Sequence, residues 1–394
     1  MFNPYLFSAI FYLFIALLMA FDLALVNWGV LPGYSGVAWL RVHFITLGFV
    51  SQAVFGALPL LQAARHGAPR PRSRLDIWAL LNAGIVILLV GIPIVNKALI
   101  FTGGTLVFIA AIMLAVQLRG IARAGQAQAQ KDWPRRFYGV GVLFLLVGVI
   151  IGTGYWLGWS APLRITAPIE AHVHANNWGF LSMVFAGILI SLAPDLLHRP
   201  LASEKTIRII FWGMVLGALG LVSGPWWGGA RSIPISVTGL IIHLIITGVL
   251  VAVTWQAFRA AGKLNVGAWH LLLAYLWFFM PMLMAPIVVF HLGSIPGERI
   301  EGVAPQALIY GWAMQFGLAI VPYFIGRYLL KKENPQLGGS KWSLALVNAG
   351  AAIIWLGIFL KPYDAALWGV AYALLGLAAL DVFQRQWRDL DSQH

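Results

Sequence analysis

The stretch Ile169-Glu-Ala-His-Val-His-Ala-Asn-Asn-Trp-Gly-Phe-Leu-Ser-Met-Val-Phe-Ala-Gly187 opens a long apolar run with a carboxylate, two histidines and two asparagines in its first turns. Polar and ionisable groups inside an apolar span are costly and are functional by default. Glu170, His172 and His174 are therefore the first candidates for chemistry, and the surrounding sequence says what kind of scaffold carries them.

The chain has 394 residues, 60% of them hydrophobic and 10% charged. A soluble chain carries about 25% charge. Apolar segments of roughly 20 residues, enough to cross a bilayer as helices, recur along its whole length. They are too long for barrel strands, so the fold expected is an all-α integral membrane protein. Twelve helices are expected over residues 6–30, 38–63, 76–96, 98–119, 136–159, 168–194, 206–228, 235–258, 267–292, 304–330, 342–361 and 365–386. The first apolar run is too long for the core of a cleavable leader and lacks a basic start, so it reads as a spanning helix. No cysteine is present, which excludes disulfides, thiolate metal sites and covalently attached c-type haem.

A net charge of +13 would suit a nucleic-acid partner, but its distribution argues otherwise. Of the 26 Lys and Arg residues, 20 fall in the loops of one side of the expected topology; only Arg41, Lys97, Arg164, Arg231, Arg299 and Lys361 fall on the other. The crowded side, with both termini, is expected in the cytoplasm of a cell whose inner (plasma) membrane holds the protein. The lipid bilayer is then the partner of the basic residues, and no nucleic acid is expected.

The stretch also has internal relatives. Arg41-Val-His43-Phe-Ile-Thr-Leu-Gly48-Phe in the second span matches His172-Val-His174-Ala-Asn-Asn-Trp-Gly179-Phe in the sixth, and each has another glycine eight residues on, at Gly56 and Gly187. The tenth span reads Ala304-Pro-Gln306-Ala-Leu-Ile-Tyr-Gly311-Trp. The anchor glycines stand 131 and 132 residues apart. Leu81-Asn-Ala-Gly84 likewise echoes Val347-Asn-Ala-Gly350. One transmembrane domain, 1–394, is expected, built as three pseudo-repeated four-helix units over about 1–132, 133–264 and 265–394. Small residues at the repeated positions would let backbones, or a flat cofactor, approach closely.

On this topology His43, His172, His174, His243 and His291 share the outer half of the membrane. Neutral imidazole is the usual protein ligand for haem iron and copper, and all five are candidate metal ligands. Residues two apart on a helix point about 200° apart, so His172 and His174 are expected to serve different sites. His174 and His43 are equivalent by repeat and form the natural pair for one flat cofactor. Arg41 and Arg231, with Arg164 and Arg299, lie at the same level and could pair with propionates. For His243 and His291 a purely structural role competes with ligation. Asn176 and Asn177 could steer a ligand histidine by a hydrogen bond.

The run Ala171-His-Val-His174 followed by Trp178-Gly179 resembles the His-x-His helix of the catalytic subunit I of the haem–copper oxidases, especially the cbb-type oxygen reductases and nitric-oxide reductases. The resemblance implies twelve helices in a pseudo-threefold ring, with His172 on a high-spin haem and His174 and His43 on a low-spin one. The departures are explicit. The family carries its pair on the tenth helix, where this chain has Gln306, and the adjacent His-His pair of the family's copper site is absent. The NnrS membrane family, linked to nitric-oxide metabolism, shares the length and the histidine-rich helix openings.

The function expected is a haem-binding membrane protein, oxidoreductase-like if it is an enzyme, that transfers electrons or binds or reduces NO or O2. Its expected cofactors are one haem b, with a second haem or copper near His172 as a further candidate. Expected partners are a small gas and a redox partner or additional subunit. The competing reading is a transporter or sensor without a redox cofactor, since internal repeats and polar midspan residues occur there too. No catalytic residue is singled out.

Overall fold

The computed structural model describes residues 3–34, 36–125, 132–290, 292 and 297–391. Among the described residues all regular structure is helical, in twelve long elements. We number them α1 Pro4–Asn27, α2 Val37–His43 continuing through Phe44–Val50 into Ser51–His66, α3 Leu75–Gly91 and α4 Lys97–Ala124. Next come α5 Trp133–Leu157, α6 Pro168–His174 through Ala175–Leu181 into Ser182–Leu197, α7 Glu204–Trp227 and α8 Ser232–Ala260. The last four are α9 Val266–Val289, α10 Gly297–Leu308 through Ile309–Met314 into Gln315–Phe324 and Ile325–Leu329, α11 Lys341–Phe359 and α12 Asp364–Asp391. Eleven of the helices are long and apolar enough to cross a membrane, and α3 is a shorter apolar helix. Bulky side chains such as Phe7, Trp212, Ile245 and Leu283 are exposed, as contact with lipid requires. The expected helices are all present. The largest shift is at α10, which begins seven residues before the expected 304, in a polar stretch whose hydropathy gave no sign of a span.

Contacts group the chain into two compact units, Met1–Ala53 with Gly262–His394, and Val54–Ala261. The boundary falls inside α2 and does not follow the repeats. The first unit holds α1, the start of α2, and α9 to α12; the second holds the rest of α2 and α3 to α8.

Local structure follows the repeat period closely. The first helix of each repeat is capped by a side chain that accepts backbone N–H groups: Asn3 on α1, Asp132 on α5 and Asn265 on α9. The second helices, α2, α6 and α10, each change from α- to π-helical winding, over Phe44–Val50, Ala175–Leu181 and Ile309–Met314. Each π-helical turn contains the anchor glycine. A Cβ on Gly48 would lie 2.7 Å from Tyr12 of α1, one on Gly179 2.4 Å from Phe144 of α5, and one on Gly311 2.6 Å from Trp277 of α9. The aromatic rings stand 132 and 133 residues apart, within one residue of the spacing of the glycines. Glycine is needed there because a ring of the preceding helix occupies the place of a side chain.

In α2 and α6 a serine hydroxyl also bonds a carbonyl of the π turn. Ser51 Oγ donates to the Thr46 carbonyl at 2.8 Å, and Ser182 Oγ donates to that of Trp178. These three second helices are also the most enclosed. In their most apolar stretches 78%, 78% and 94% of residues are buried, against 22–50% in the other long spans.

The third and fourth helices of each repeat form hairpins, α3 with α4, α7 with α8 and α11 with α12. Gly84, Gly217 and Gly350, at intervals of 133 residues, lie against the partner helix in each. Further, α4 packs on α5 in the second unit as α12 packs on α1 in the first.

Candidate functional site

His172 and His174 end the α-helical part of α6, one residue before its π turn, and both are half-buried. Their side chains diverge as their spacing requires. The ring of His172 lies against α5, where a Cβ on Gly152 would come within 2.5 Å of it, and its Nδ1 is 2.8 Å from the Gly148 carbonyl. His174 turns to α7, with Nδ1 2.6 Å from the Leu221 carbonyl and Trp178 edge-on at 5.2 Å. His43 holds the matching place before the π turn of α2. Its Nδ1 is 2.7 Å from the Trp39 carbonyl, and the Trp39 ring stacks on it at 3.8 Å.

A carbonyl can only accept, so in each of these rings, taken neutral, Nδ1 carries the proton and Nε2 holds the lone pair. This is the arrangement in which a histidine presents Nε2 to a metal while its other nitrogen is held by the protein. Asn176 Nδ2 donates to the His172 carbonyl at 2.9 Å and lies 3.3 Å from Nδ1, so it does bear on that ring. Glu170, one turn before His174, is exposed and acts on it through its charge.

His243 shows the opposite pattern. On α8 and fully buried, it has Nε2 3.1 Å from the Trp178 carbonyl and 3.3 Å from Ser182 Oγ, while Nδ1 meets Thr247 Oγ1 at 3.1 Å. The proton is on Nε2, and both nitrogens are engaged. These contacts suit the structural role that competes with ligation: with Ser182, His243 meets the Trp178 carbonyl of the α6 π turn. His291, expected as a metal ligand, lies outside the described residues.

The arginines also find partners. Arg41, 7% exposed, pairs with Asp22 of α1 at 3.1 Å, so its charge is already met by a carboxylate. Arg299 binds Asp364 at 2.7 Å and the carbonyls of Gly357 and Ile358. Arg231 ends the short 3-10 turn Gly229–Arg231 and is exposed. Among the described residues no three or more His, Asp or Glu side chains converge as a metal site would need, so no three-histidine copper site is assembled there. The histidines that matter divide between units: His43 lies in the first, His172, His174 and His243 in the second.

A polar cluster sits at the far end of α2, where the helix runs on past the expected 63 to His66. His66 Nε2, Gln62 Nε2 and Arg65 Nε reach the buried carboxylate of Asp132 at 2.6, 3.1 and 2.9 Å. Burial alone would raise the Asp132 pKa, but the hydrogen bonds from His66 and Gln62 and the charge of Arg65 outweigh it and hold it below the usual value. The cluster ties α2 to the N-terminus of α5.

No family model matches the chain, and no curated protein matches it.

Proposed function

We propose that the protein is a membrane haem protein that handles electrons or a diatomic gas. His174 and His43 are the residues that would hold its haem b, and it is a divergent relative of the haem–copper oxidase subunit I and NnrS group. The observation that carries this reading is the tautomer. Of the candidate histidines at the helix openings, His43, His172 and His174 all have Nδ1 at a backbone carbonyl, which makes Nε2 the basic nitrogen of the neutral ring. The two at equivalent repeat positions, each just ahead of a π turn, are the pair. The donor type suits haem iron, for which neutral imidazole is a common protein ligand. Haem supplies the redox chemistry when bound. The Leu221 and Trp39 carbonyls orient the imidazoles and raise their basicity. Trp39 and Trp178 shield them from water, and Glu170 places a negative charge one turn away from His174. His172 is the candidate for a second group, on the opposite side of α6.

The charge pattern supports an inner-membrane protein with both termini in the cytoplasm. Because the chain has no cysteine, single cysteines introduced at Gly120 and Gly229 report sidedness without background. Labelling of Gly229→Cys, and not Gly120→Cys, by an impermeant thiol reagent added outside intact cells is expected.

The decisive experiment is an optical spectrum of protein purified from cells supplied with haem. A Soret band and a low-spin signal are expected, and both are expected to be lost in His174→Ala and in His43→Ala. A colourless wild-type protein, or an unchanged spectrum in both variants, removes the haem reading.

A further inference from the structure

Helices α1, α10 and α12 of the first unit leave a groove between them at one end. Its lining comes from within residues 3–13 of α1, 318–329 of α10 and 382–387 of α12, and is almost wholly apolar. Leu318, Val321 and Ile325 of α10 form the floor and are buried. Leu6 and Leu13 of α1 are buried beside them, while Phe7 and Trp387, 61% and 64% exposed, stand on the rim. Phe383 stacks on Trp387 at 6.5 Å and meets Phe14 of α1 at 6.2 Å, which brings α12 against α1 beside the groove. The groove holds about 190 Å³, far more than one water needs, and an apolar space of that size takes up hydrocarbon rather than water.

Its length matches one leaflet of a bilayer. Over residues 3–13 α1 rises about 15 Å, and a leaflet is half of a hydrocarbon core about 30 Å thick. Polar lining is confined to one end. Asn3 caps α1 there and Gln386 lies in the last two turns of α12, whereas Leu13 and Leu318 close the other end. Trp387 also sits at the polar end, where tryptophan favours the membrane–water interface.

That end carries charge of both signs. Arg388 follows Trp387 directly, and Asp391 lies one helical turn beyond it. Lys331 and Glu333 follow Leu329 by two and four residues, and all four charged residues are exposed. The segment after Leu329 folds back on the end of α10: the Lys332 N–H donates to the Gly326 carbonyl at 2.8 Å, and Arg327 donates to that of Glu333 at 3.3 Å. Arg385 is engaged with Asp381 at 3.2 Å and stands apart from this set.

We propose that the groove binds one phospholipid with a zwitterionic, primary-amine headgroup, a phosphatidylethanolamine. One acyl chain lies in the groove; Lys331 and Arg388 meet the phosphate, and Glu333 and Asp391 meet the ammonium. A mouth of mixed sign suits a headgroup that carries both charges. The N–H groups of a primary amine can donate to carboxylates, and a quaternary amine has none to give. On the proposed orientation this is the cytoplasmic leaflet. That detail alone rests on the orientation: reversed labelling of Gly120→Cys and Gly229→Cys moves the lipid to the other leaflet without emptying the groove.

The test uses the full-length protein in detergent, titrated with phosphatidylethanolamine, phosphatidylcholine or phosphatidylglycerol of identical acyl chains and read by native mass spectrometry. One phosphatidylethanolamine per protein is expected, bound a few-fold more tightly than either of the others, the scale of exposed ion pairs. Ile10→Trp, which fills the groove from α1, is expected to weaken binding of every headgroup about tenfold or more, the effect of displacing two methylenes. Glu333→Gln with Asp391→Asn is expected to bring phosphatidylethanolamine down to the phosphatidylcholine level. A phosphatidylethanolamine with a diazirine on its acyl chain is expected to crosslink to the groove residues of α1, α10 and α12. Crosslinks spread over other lipid-facing helices such as α8, equal binding of the three lipids, or undiminished binding in folded Ile10→Trp overturns the proposal. If Ile10→Trp does not fold, the crosslink map of the wild-type protein decides. A colourless protein that holds the lipid removes the haem reading and leaves this one; a haem-loaded protein with an empty groove does the reverse.

Discussion

Helices α6 and α10 share one backbone device and use it for opposite polar content. Both wind from α into π around a glycine pressed on an aromatic ring. Ahead of its turn α6 carries His172 and His174, both hydrogen-bonded to carbonyls of neighbouring helices; four residues past Gly179 it carries the apolar Met183. Ahead of its turn α10 has Gln306, and four residues past Gly311 it has the unbonded Gln315. The glycine and ring therefore belong to the scaffold, while the polar groups on either side of the turn are free to differ. A π turn rephases the side chains that follow it, and such turns are frequent at functional sites.

The largest effect expected is on α6: His174→Ala should abolish the haem spectrum, whereas Gln306→Ala on α10, at the equivalent place, should leave it intact. An unchanged spectrum in the first, or a lost one in the second, would break the contrast. Next comes the shared device. Gly179→Ala and Gly311→Ala should each cost about 1–3 kcal/mol or more, as overpacking does, because a ring sits 2.4 or 2.6 Å from the new Cβ. Thermal unfolding in detergent reads this, and a second change of Phe144→Ala should relieve Gly179→Ala only. His243→Phe should lower stability by about 1–3 kcal/mol, since it leaves buried partners unmet, with the Soret band unchanged. If that band is lost, His243 is a ligand after all. Gln315→Met should instead leave stability nearly unchanged, since exchanging a buried polar group for an apolar one of similar shape can be nearly neutral.

The smallest effect is a dependence on pH. The Asp132 carboxyl has a lower pKa folded than unfolded. Its stabilisation is therefore complete above the ordinary carboxylate pKa near 3.8 and is lost as pH falls through the folded value. Asp132→Asn should remove that acid-side slope. An acid unfolding curve unchanged by the substitution would show that the cluster with Gln62, Arg65 and His66 contributes nothing.

The twelve helices were legible because a bilayer demands about 20 apolar residues for each span, and hydropathy records that demand directly. Gly48, Gly179 and Gly311 exposed the repeat because close approach to a ring tolerates no other residue there. The π turns were not legible, since no residue type shared by Phe44–Val50, Ala175–Leu181 and Ile309–Met314 selects π over α winding. The divergence of His172 and His174 followed from helix geometry alone. The role of His243 did not: it depends on which carbonyl of another helix its Nε2 meets. Tyr12, Phe144 and Trp277 share the repeat period but differ in residue type, so identity matching passed over them. The division into two units left no trace either, because its boundary cuts through the uniform apolar run of α2.

That division has a consequence for biogenesis. Residues 54–261 form a continuous stretch, so their unit can close as soon as α8 has left the ribosome. Helix α1 lies before that stretch in the chain and packs on α12, which lies after it. Until α12 is in place, the side of α1 that carries Phe14, which meets Phe383 of α12, must wait in the bilayer without it. That interval is where an insertase or chaperone would be needed most.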